Sequence, residues 1–310
     1  MIKRSELVRL AKQTGVNHPE IVETEYVNGI LIDAMSRVLT KEQFAIHGGT
    51  CRNKAYNGMP GVYSNEEIDE YFKRNRFSKD IDSYIAPALN NEKEIKNILH
   101  ASSDFIYRDF GVRLHVEDMS IMGKAPPKSH PFKHPRVDVY IPYEGPMASE
   151  KHHFPKIKLT LDSDDSPILL TTRRMIYHPF SDRQENDLIG NCFSFTELFA
   201  RKLLVMYLRK EGRDLYDVAI LLSTYDIMSH LDDVRKVLRE KARRYDVKLP
   251  ENLIGFEDAL RASWDKTIMR MIQKPLPFEE CMSQLRTVFD KINRTKEQYK
   301  LSVLNNINER

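Results

Sequence analysis

The sequence has few cysteines, no long apolar run and little net charge, and each lack excludes a class of protein. Its three cysteines (Cys51, Cys192 and Cys281) are widely spaced and odd in number, which predicts reduced thiols in a cytoplasmic protein. No stretch approaches the apolar length of a membrane-spanning helix, and the polar start MIKRSELVRLAK does not resemble a signal peptide. The net charge of +3 is too small to indicate a nucleic-acid partner by itself.

Several signatures of catalytic and metal sites are also missing. The chain contains no Walker A loop, no Rossmann glycine pattern and no nucleophile elbow. Five histidines fall between positions 115 and 153, but without an HExxH or a paired Cys-x-x-Cys they indicate zinc only weakly. With 310 residues, 41% of them hydrophobic, the chain can still bury a sizeable core in two lobes.

A glycine motif follows the apolar segment 44–46. This short segment (FAI) predicts a strand, and Gly48, Gly49 and Thr50 come directly after it, where a helix can begin. Glycine permits close approach of the backbone, and N–H groups at a helix start can hold an anion. The common structural explanation, a turn with a helix cap, stays open for this motif on its own.

A carboxylate pair lies further along, in the alternating run RFSKDIDSYI. Asp80 and Asp82 are separated by one residue, so on a strand both side chains point to the same side. Two such carboxylates repel each other unless a cation lies between them, and Mg²⁺ typically takes one or two carboxylates plus substrate phosphates. A solvated strand edge explains the same pattern. Together, however, the two motifs predict chemistry on a nucleoside triphosphate.

The remaining pattern predicts a mixed α/β sheet flanked by helices, followed by an all-helical C-terminal lobe. Strands are expected at 112–119, 137–141 and 157–161, and helices at 1–40, 91–105 and from 194 onward. We therefore expect an α/β domain over 1–185 that starts with a helical hairpin, and a helical domain over 186–310. The stretch 170–182 is interpreted as the linker between them.

The order of the motifs resembles one known family. Gly48-Gly49-Thr50 followed by RFSKDID (76–82) resembles the signature of the AbiEii/AbiGii nucleotidyltransferase toxins, within the DNA polymerase β-like nucleotidyltransferase superfamily. ELFARK (197–202) and RDLYD (213–217) are similar to the second half of that family, and RRMIYHPFSD (173–182) to its linker. The resemblance spans residues 20–225, and its specificity lies in the co-occurrence of the motifs.

The resemblance implies an activity and a set of partners. It implies a nucleotidyltransferase-type fold and a Mg²⁺-dependent transfer of a nucleoside monophosphate from a nucleoside triphosphate to an acceptor. It also implies a toxin of a bacterial toxin–antitoxin or abortive-infection system for phage defence, with a separately encoded antitoxin. No membrane association is expected, because the sequence has no long apolar run. RNA such as a tRNA 3′ end is the first acceptor to consider, and a protein or a small molecule such as an antibiotic stays open.

The resemblance also assigns roles to residues. It implies that Asp80 and Asp82 hold two metal ions, while a group of small residues holds the β- and γ-phosphates: Gly48, Gly49, Thr50 and Ser78. Lys202 is the implied cation for developing charge, although a solvated surface charge would explain it as well. The other candidate catalytic or phosphate-contacting residues lie on the next helix: Arg213, Asp214 and Asp217. Asp214 has a structural alternative, as an acid in the first helical turn.

One position departs from the family pattern. The superfamily commonly places a third carboxylate on a strand beside the Asp-x-Asp pair, and here the aligned residue is Thr160. A hydroxyl is a weaker metal ligand and no general base at neutral pH. Asp138 and Asp162 are the candidate replacements. A nucleotide-binding protein without transferase activity is therefore the competing hypothesis.

A charged segment near residue 240 gives a weaker indication of RNA binding. Residues 234–248 (VRKVLREKARRYDVK) concentrate basic side chains around one tyrosine, a composition that can follow an RNA backbone. A charged, solvated helix is the commoner explanation of such a composition.

Overall fold

The computed structural model describes residues 1–13, 15–16, 18–57, 64–74, 80–124, 136–148, 154–182, 188–272 and 274–294. The chain divides into two compact units. Unit 1 comprises Met1–Leu198 with Met271–Pro275, and unit 2 comprises Phe199–Arg270 with Leu276–Arg310.

A mixed sheet forms the centre of unit 1. Among the described residues it has eight strands: β1 (Phe44–Ile46), β2 (Asp80–Ile85), β3 (Arg113–Leu114), β4 (Ser120–Lys124), β5 (Arg136–Glu144), β6 (Lys156–Asp162), β7 (Thr172–Met175) and β8 (Ile189–Cys192). Their order is β3-β5-β6-β2-β1-β8-β7, with β4 paired to β5. Strand β2 runs antiparallel to β1 and parallel to β6. The two strands that carry the predicted motifs are therefore neighbours in the middle of the sheet.

Helices flank this sheet. Unit 1 contains α1 (Arg4–Gln13), α2 (Pro19–Val38), α3 (Gly48–Cys51), α4 (Asn65–Arg74) and α5 (Glu92–Phe110), and α3 continues into a π-helical turn (Arg52–Asn57). Proline in the first turn starts α2, where its missing N–H costs nothing. The Asn91 side chain caps α5 by accepting from the Glu94 N–H at 3.1 Å, and Gly111 ends α5 with φ 69°. The predicted mixed α/β sheet flanked by helices is confirmed.

Two local predictions were wrong. Of the strand expected at 112–119, only β3 forms, and a 3₁₀ turn (Val116–Asp118) follows it. The stretch 170–182 is not only a linker, because it contains β7, an edge strand that pairs with β8. Strand β8 in turn pairs in parallel with β1, so this segment completes the central sheet.

Unit 2 is built from helices. Its elements are the greater part of α6 (Phe195–Arg209), which begins in unit 1, and then α7 (Gly212–Thr224), α8 (Leu231–Arg244), α9 (Phe256–Met271) and α10 (Phe278–Asn293). Gly212 allows α7 to start directly against α9, since a Cβ there would lie 2.7 Å from the Cα of Trp264. The predicted helical C-terminal lobe is confirmed.

The charge-rich helix α8 is only partly a solvated surface. Lys241 is fully buried, and the Arg235 side chain donates to the carbonyl oxygens of Lys291 and Ile292 at the end of α10. Lys236, Arg239 and Arg243 remain exposed. The three cysteines are buried and form no disulfide with one another. No described helix has the length and apolar character to cross a membrane.

Candidate active site

The glycine motif is attached to the strand that carries the two aspartates. The His47 N–H donates to the Asp82 carbonyl oxygen at 2.9 Å, directly after β1 ends. The Thr50 hydroxyl donates to the Asp80 carbonyl oxygen at 2.7 Å. These bonds hold the start of α3 against the first residues of β2, so the two motifs that the sequence separates by about thirty positions form one site.

Gly48 shows how closely the motifs approach. Its φ is +70°, a left-handed conformation that glycine adopts without steric cost. A Cβ at this position would lie 3.0 Å from Asp82 Cβ and 3.1 Å from Asp82 Cγ. Only a residue without a side chain fits there, and the Asp82 side chain lies directly against the Gly48 backbone.

The register of the neighbouring strands locates the third acid. Asp82 on β2 is opposite Thr160 on β6, and Thr160 is opposite Asp138 on β5. The Thr160 hydroxyl donates to Asp138 Oδ1 at 3.0 Å. Asp138 therefore lies one strand beyond the position where the family pattern has its third carboxylate, and it is linked to that position through the threonine.

Asp162, the other candidate replacement, is engaged in a turn. Its Oδ1 accepts the backbone N–H groups of Asp164 and Asp165, each at 3.0 Å. In register it lies opposite Tyr84, two pairs further along β2 than Asp82. Of the two candidate replacements, Asp138 shares the register position of Asp82.

A lysine that the sequence did not reveal lies among these carboxylates. Lys158 on β6 is opposite Asp80. Its Nζ lies 3.4 Å from Asp138 Oδ2 and 3.6 Å from Asp80 Oδ2. A lysine two residues before Thr160 was visible in the sequence, but its proximity to Asp80 depends on the parallel register of β2 and β6. That register could not be derived from the sequence.

The donors at this site suit a two-carboxylate Mg²⁺ site. Among the described residues, no group of three His, Cys, Asp or Glu side chains is arranged to hold a metal ion. Asp80 and Asp82 are half-buried and lie on one face of β2, with glycine backbone alongside. A cation that takes two carboxylates and completes its shell with substrate phosphates fits this arrangement.

A buried ion pair fixes the segment that directly follows the glycine motif. Lys54, in the π-helical turn after α3, is fully buried, and its Nζ lies 2.8 Å from Glu25 Oε1 on α2. The hydroxyl of Tyr71 on α4 donates to the same carboxylate oxygen at 3.1 Å, and burial raises the pKa of Tyr71 well above its ordinary value. The segment that leads away from the glycines is thus fixed to α2 and α4.

The remaining predicted residues that are described lie in unit 2. Lys202 Nζ contacts Asp217 Oδ2 at 2.6 Å, and both side chains are buried. Asp214 is buried as well. Burial raises the pKa of its carboxyl, while the positive charge of Lys202 opposes that rise. Arg213 Nε lies 2.5 Å from Glu211 Oε2, directly before α7.

Glu197 and Ser78 are the two other residues taken from the sequence motifs. Glu197 has a structural role, because its Oε2 accepts the backbone N–H groups of Ile168 and Leu169 at 3.1 and 2.9 Å. Ser78, the expected phosphate ligand, lies outside the described residues.

Comparison with known proteins gives two findings. Residues 30–284 match the family model described as "Nucleotidyl transferase AbiEii toxin, Type IV TA system". Among solved structures, the chain is similar to MenT4, a nucleotidyltransferase toxin from Mycobacterium tuberculosis H37Rv, with a TM-score of 0.58 and 13% identity over 97% of this chain and 93% of that one. This likeness shows a shared fold. A search of curated proteins found no match.

Proposed function

Because this chain belongs to the AbiEii family of nucleotidyltransferase toxins of type IV toxin–antitoxin systems, we propose that it transfers a nucleoside monophosphate from a nucleoside triphosphate to RNA. The observation that carries the proposal is the contact between the two motifs. The backbone of Gly48 lies against the Asp82 side chain, closely enough that a Cβ would be 3.0 Å from Asp82 Cβ. A phosphate group held by the glycine backbone would therefore lie beside the carboxylates.

The residues of unit 1 bind the nucleotide in this proposal. Gly48, Gly49 and Thr50 offer backbone N–H groups to the β- and γ-phosphates, and Ser78 is kept as a further ligand. Asp80 and Asp82 would hold Mg²⁺, which when bound neutralises charge on the triphosphate. The acceptor hydroxyl oxygen forms a bond to the α-phosphorus and gives up its proton to solvent water. The bond from that phosphorus to the bridging oxygen breaks, and pyrophosphate departs with the electron pair.

Lys202 of unit 2 is kept as a candidate on the family resemblance. We propose that it neutralises the charge that develops on the leaving pyrophosphate; within unit 2, Asp217 contacts its ammonium at 2.6 Å. Asp214 and Arg213 are kept as supporting residues in this cluster. The positive charges of Lys202 and Arg213 both act on the buried Asp214 carboxyl. Removing the Asp217 charge would leave Lys202 without its buried counter-ion.

The partners follow from the family. We propose a separately encoded antitoxin and a cytoplasmic place of action in a bacterial abortive-infection or phage-defence system. The acceptor is taken to be RNA such as a tRNA 3′ end, and a small-molecule acceptor becomes the hypothesis if RNA receives no label.

The experiment incubates the pure protein with Mg²⁺, total bacterial RNA and each α-labelled nucleoside triphosphate in turn. Label on an RNA band with one nucleotide, lost in Asp82→Asn, is the expected result. The substitution removes one charge and changes almost no volume. Asp104→Asn, on the exposed side of α5, is the matched control and should retain full labelling. A double variant of Asp80 and Asp82 that still transfers label would refute the metal-site assignment.

Thr160 supports a second candidate, a protein that binds nucleotide without transferring it. Its hydroxyl stands where a carboxylate is expected and is bound to Asp138. That hypothesis predicts Mg²⁺-dependent nucleotide binding by calorimetry, with no label on RNA or on the protein itself.

A further inference from the structure

One face of the sheet carries more negative charge than a two-carboxylate metal site needs. Asp80 and Asp82 lie on β2, and Asp138 lies two strands away at the register position of Asp82. Between them β6 contributes Lys158, whose ammonium lies within 3.6 Å of both Asp80 and Asp138. In the described part of this face, a positive charge of the chain itself therefore stands beside the proposed metal ligands.

The two carboxylates that Lys158 contacts differ in burial. Asp138 is buried, with a side chain 7% exposed, and its other oxygen accepts the Thr160 hydroxyl at 3.0 Å. Asp80 is more open, with a side chain 36% exposed, and its contact at 3.6 Å is an ion pair without hydrogen-bond geometry. Exposed ion pairs of this kind are weak. The ammonium can therefore leave Asp80 while Asp138 retains it.

We propose that Lys158 is a built-in competitor for the divalent cation, neutralising Asp80 in the metal-free protein and withdrawing to Asp138 when the cation binds. The inference rests on the proposed function, because it takes Asp80 and Asp82 as the metal ligands. Lys158 lowers the affinity of the nucleotide-free site for the divalent cation. The cation therefore binds tightly only when a nucleoside triphosphate adds its own oxygen ligands. Lys158 is a positioning residue, and it acts through Asp80.

The test measures binding of Mn²⁺ alone, without nucleotide, by calorimetry and by the electron paramagnetic resonance signal of free Mn²⁺. Lys158→Met should bind Mn²⁺ about tenfold more tightly than the native protein. A unit charge within about 4–6 Å of a carboxylate typically changes the affinity of that carboxylate for a proton by this factor or more, and we expect a similar effect on a metal ion. Lys158→Arg keeps the charge and should bind like the native protein. Lys156→Met removes a lysine from the exposed start of the same strand and should also leave binding unchanged.

Melting temperature gives a second measurement that is independent of activity. In EDTA, Lys158→Met should melt below the native protein, because three carboxylates then share one face without the ammonium. Added Mn²⁺ should raise its melting temperature more than that of the native protein, because a ligand that binds the folded state more tightly stabilises it more. Should the methionine variant not fold, Lys158→Gln makes the same charge change with a polar head.

The outcomes separate the inference from the function on which it rests. Equal or weaker Mn²⁺ binding by Lys158→Met, while Asp82→Asn loses binding, would overturn the role of Lys158 and leave the metal site standing. Equal binding by the native protein and Asp82→Asn would instead overturn the metal-site assignment.

Discussion

Replacing Gly48 by alanine tests whether the glycine motif and the aspartate pair form one rigid site. The substitution adds one methyl group to a residue with φ +70°, where that methyl would lie 3.0 Å from Asp82 Cβ. Two separate costs follow. One is the left-handed conformation itself, and the other is the displacement of Asp82 or of the turn.

The magnitude can be worked out for each cost. Alanine in the left-handed region costs about 1–2 kcal/mol. Forcing an extra methyl group into a packed site typically costs about 1–3 kcal/mol. We therefore expect Gly48→Ala to lower the free energy of unfolding by about 2–5 kcal/mol. Labelling of RNA should also fall, because the Asp82 carboxylate moves away from its position on β2.

Two glycines of unit 1 serve as matched controls. Gly111 has φ +69°, but a Cβ there would lie in ordinary contact, 3.5 Å from Met1, so Gly111→Ala measures the conformational cost alone. A Cβ at Gly123 would meet nothing within 4 Å, and Gly123→Ala should be close to neutral. The assay is urea unfolding followed by circular dichroism, with RNA labelling measured on the same preparations. If Gly48→Ala costs no more than Gly111→Ala and retains labelling, the close contact with Asp82 does not matter and the argument fails.

Three further predictions concern residues outside this contact. Lys54→Met should cost about 3–5 kcal/mol in urea unfolding because it removes the ion-pair partner of the buried Glu25 side chain, and adding Glu25→Met should restore much of that loss. Burial lowers the pKa of His178 in the folded protein. Between the folded and the unfolded pKa, this histidine is therefore protonated in the unfolded chain and neutral in the folded one. Stability should fall as pH drops below about 6.5, and His178→Asn should flatten that slope between pH 7.5 and 5.5; an unchanged slope would contradict it. Gly212→Ala should destabilise unit 2 by about 1–3 kcal/mol, measured by the fluorescence of Trp264 on α9, and a neutral result would disprove the close approach.

The parts of the site that follow from local pattern were predictable from the sequence. Residues two apart on a strand share a side at any register, so the alternation around Asp80 and Asp82 was enough to place both carboxylates together. An apolar segment followed by two glycines was enough to predict a strand, a turn and a helix start at 44–51. Neither inference required knowledge of a distant part of the chain.

The relation between distant strands was not predictable in the same way. Lys158 reaches Asp80 only because β2 and β6 pair in parallel at one register, and a shift by one residue would turn its side chain to the other face. The Thr160 departure was recognised from the sequence, whereas its hydrogen bond to Asp138 depends on β5 as a third strand. The contacts between these strands therefore depend on long-range strand pairing, which the local sequence pattern does not determine.

The wrong strand at 112–119 has a different cause. Val112, Leu114 and Val116 alternate with polar residues, and all three are buried as a strand would bury them. The backbone nevertheless leaves the sheet after Leu114 and makes a 3₁₀ turn. The alternation correctly predicted which side chains face the core. It could not specify the path of the backbone, because several paths bury the same three residues.

The pairing of β1 has a consequence for synthesis of the protein on the ribosome. This strand has only three residues, and its two neighbours are β2 and β8, the latter joined through Ile46 and Cys192. A nascent chain that ends before residue 192 lacks one of the two strands flanking the glycine motif, and one that ends before β6 lacks Lys158 and Thr160 as well. Such distant pairings also form slowly, because the loop must close before the contact stabilises it. Unfinished chains therefore lack strands that border the candidate site, and that site cannot be complete before β8 has been translated.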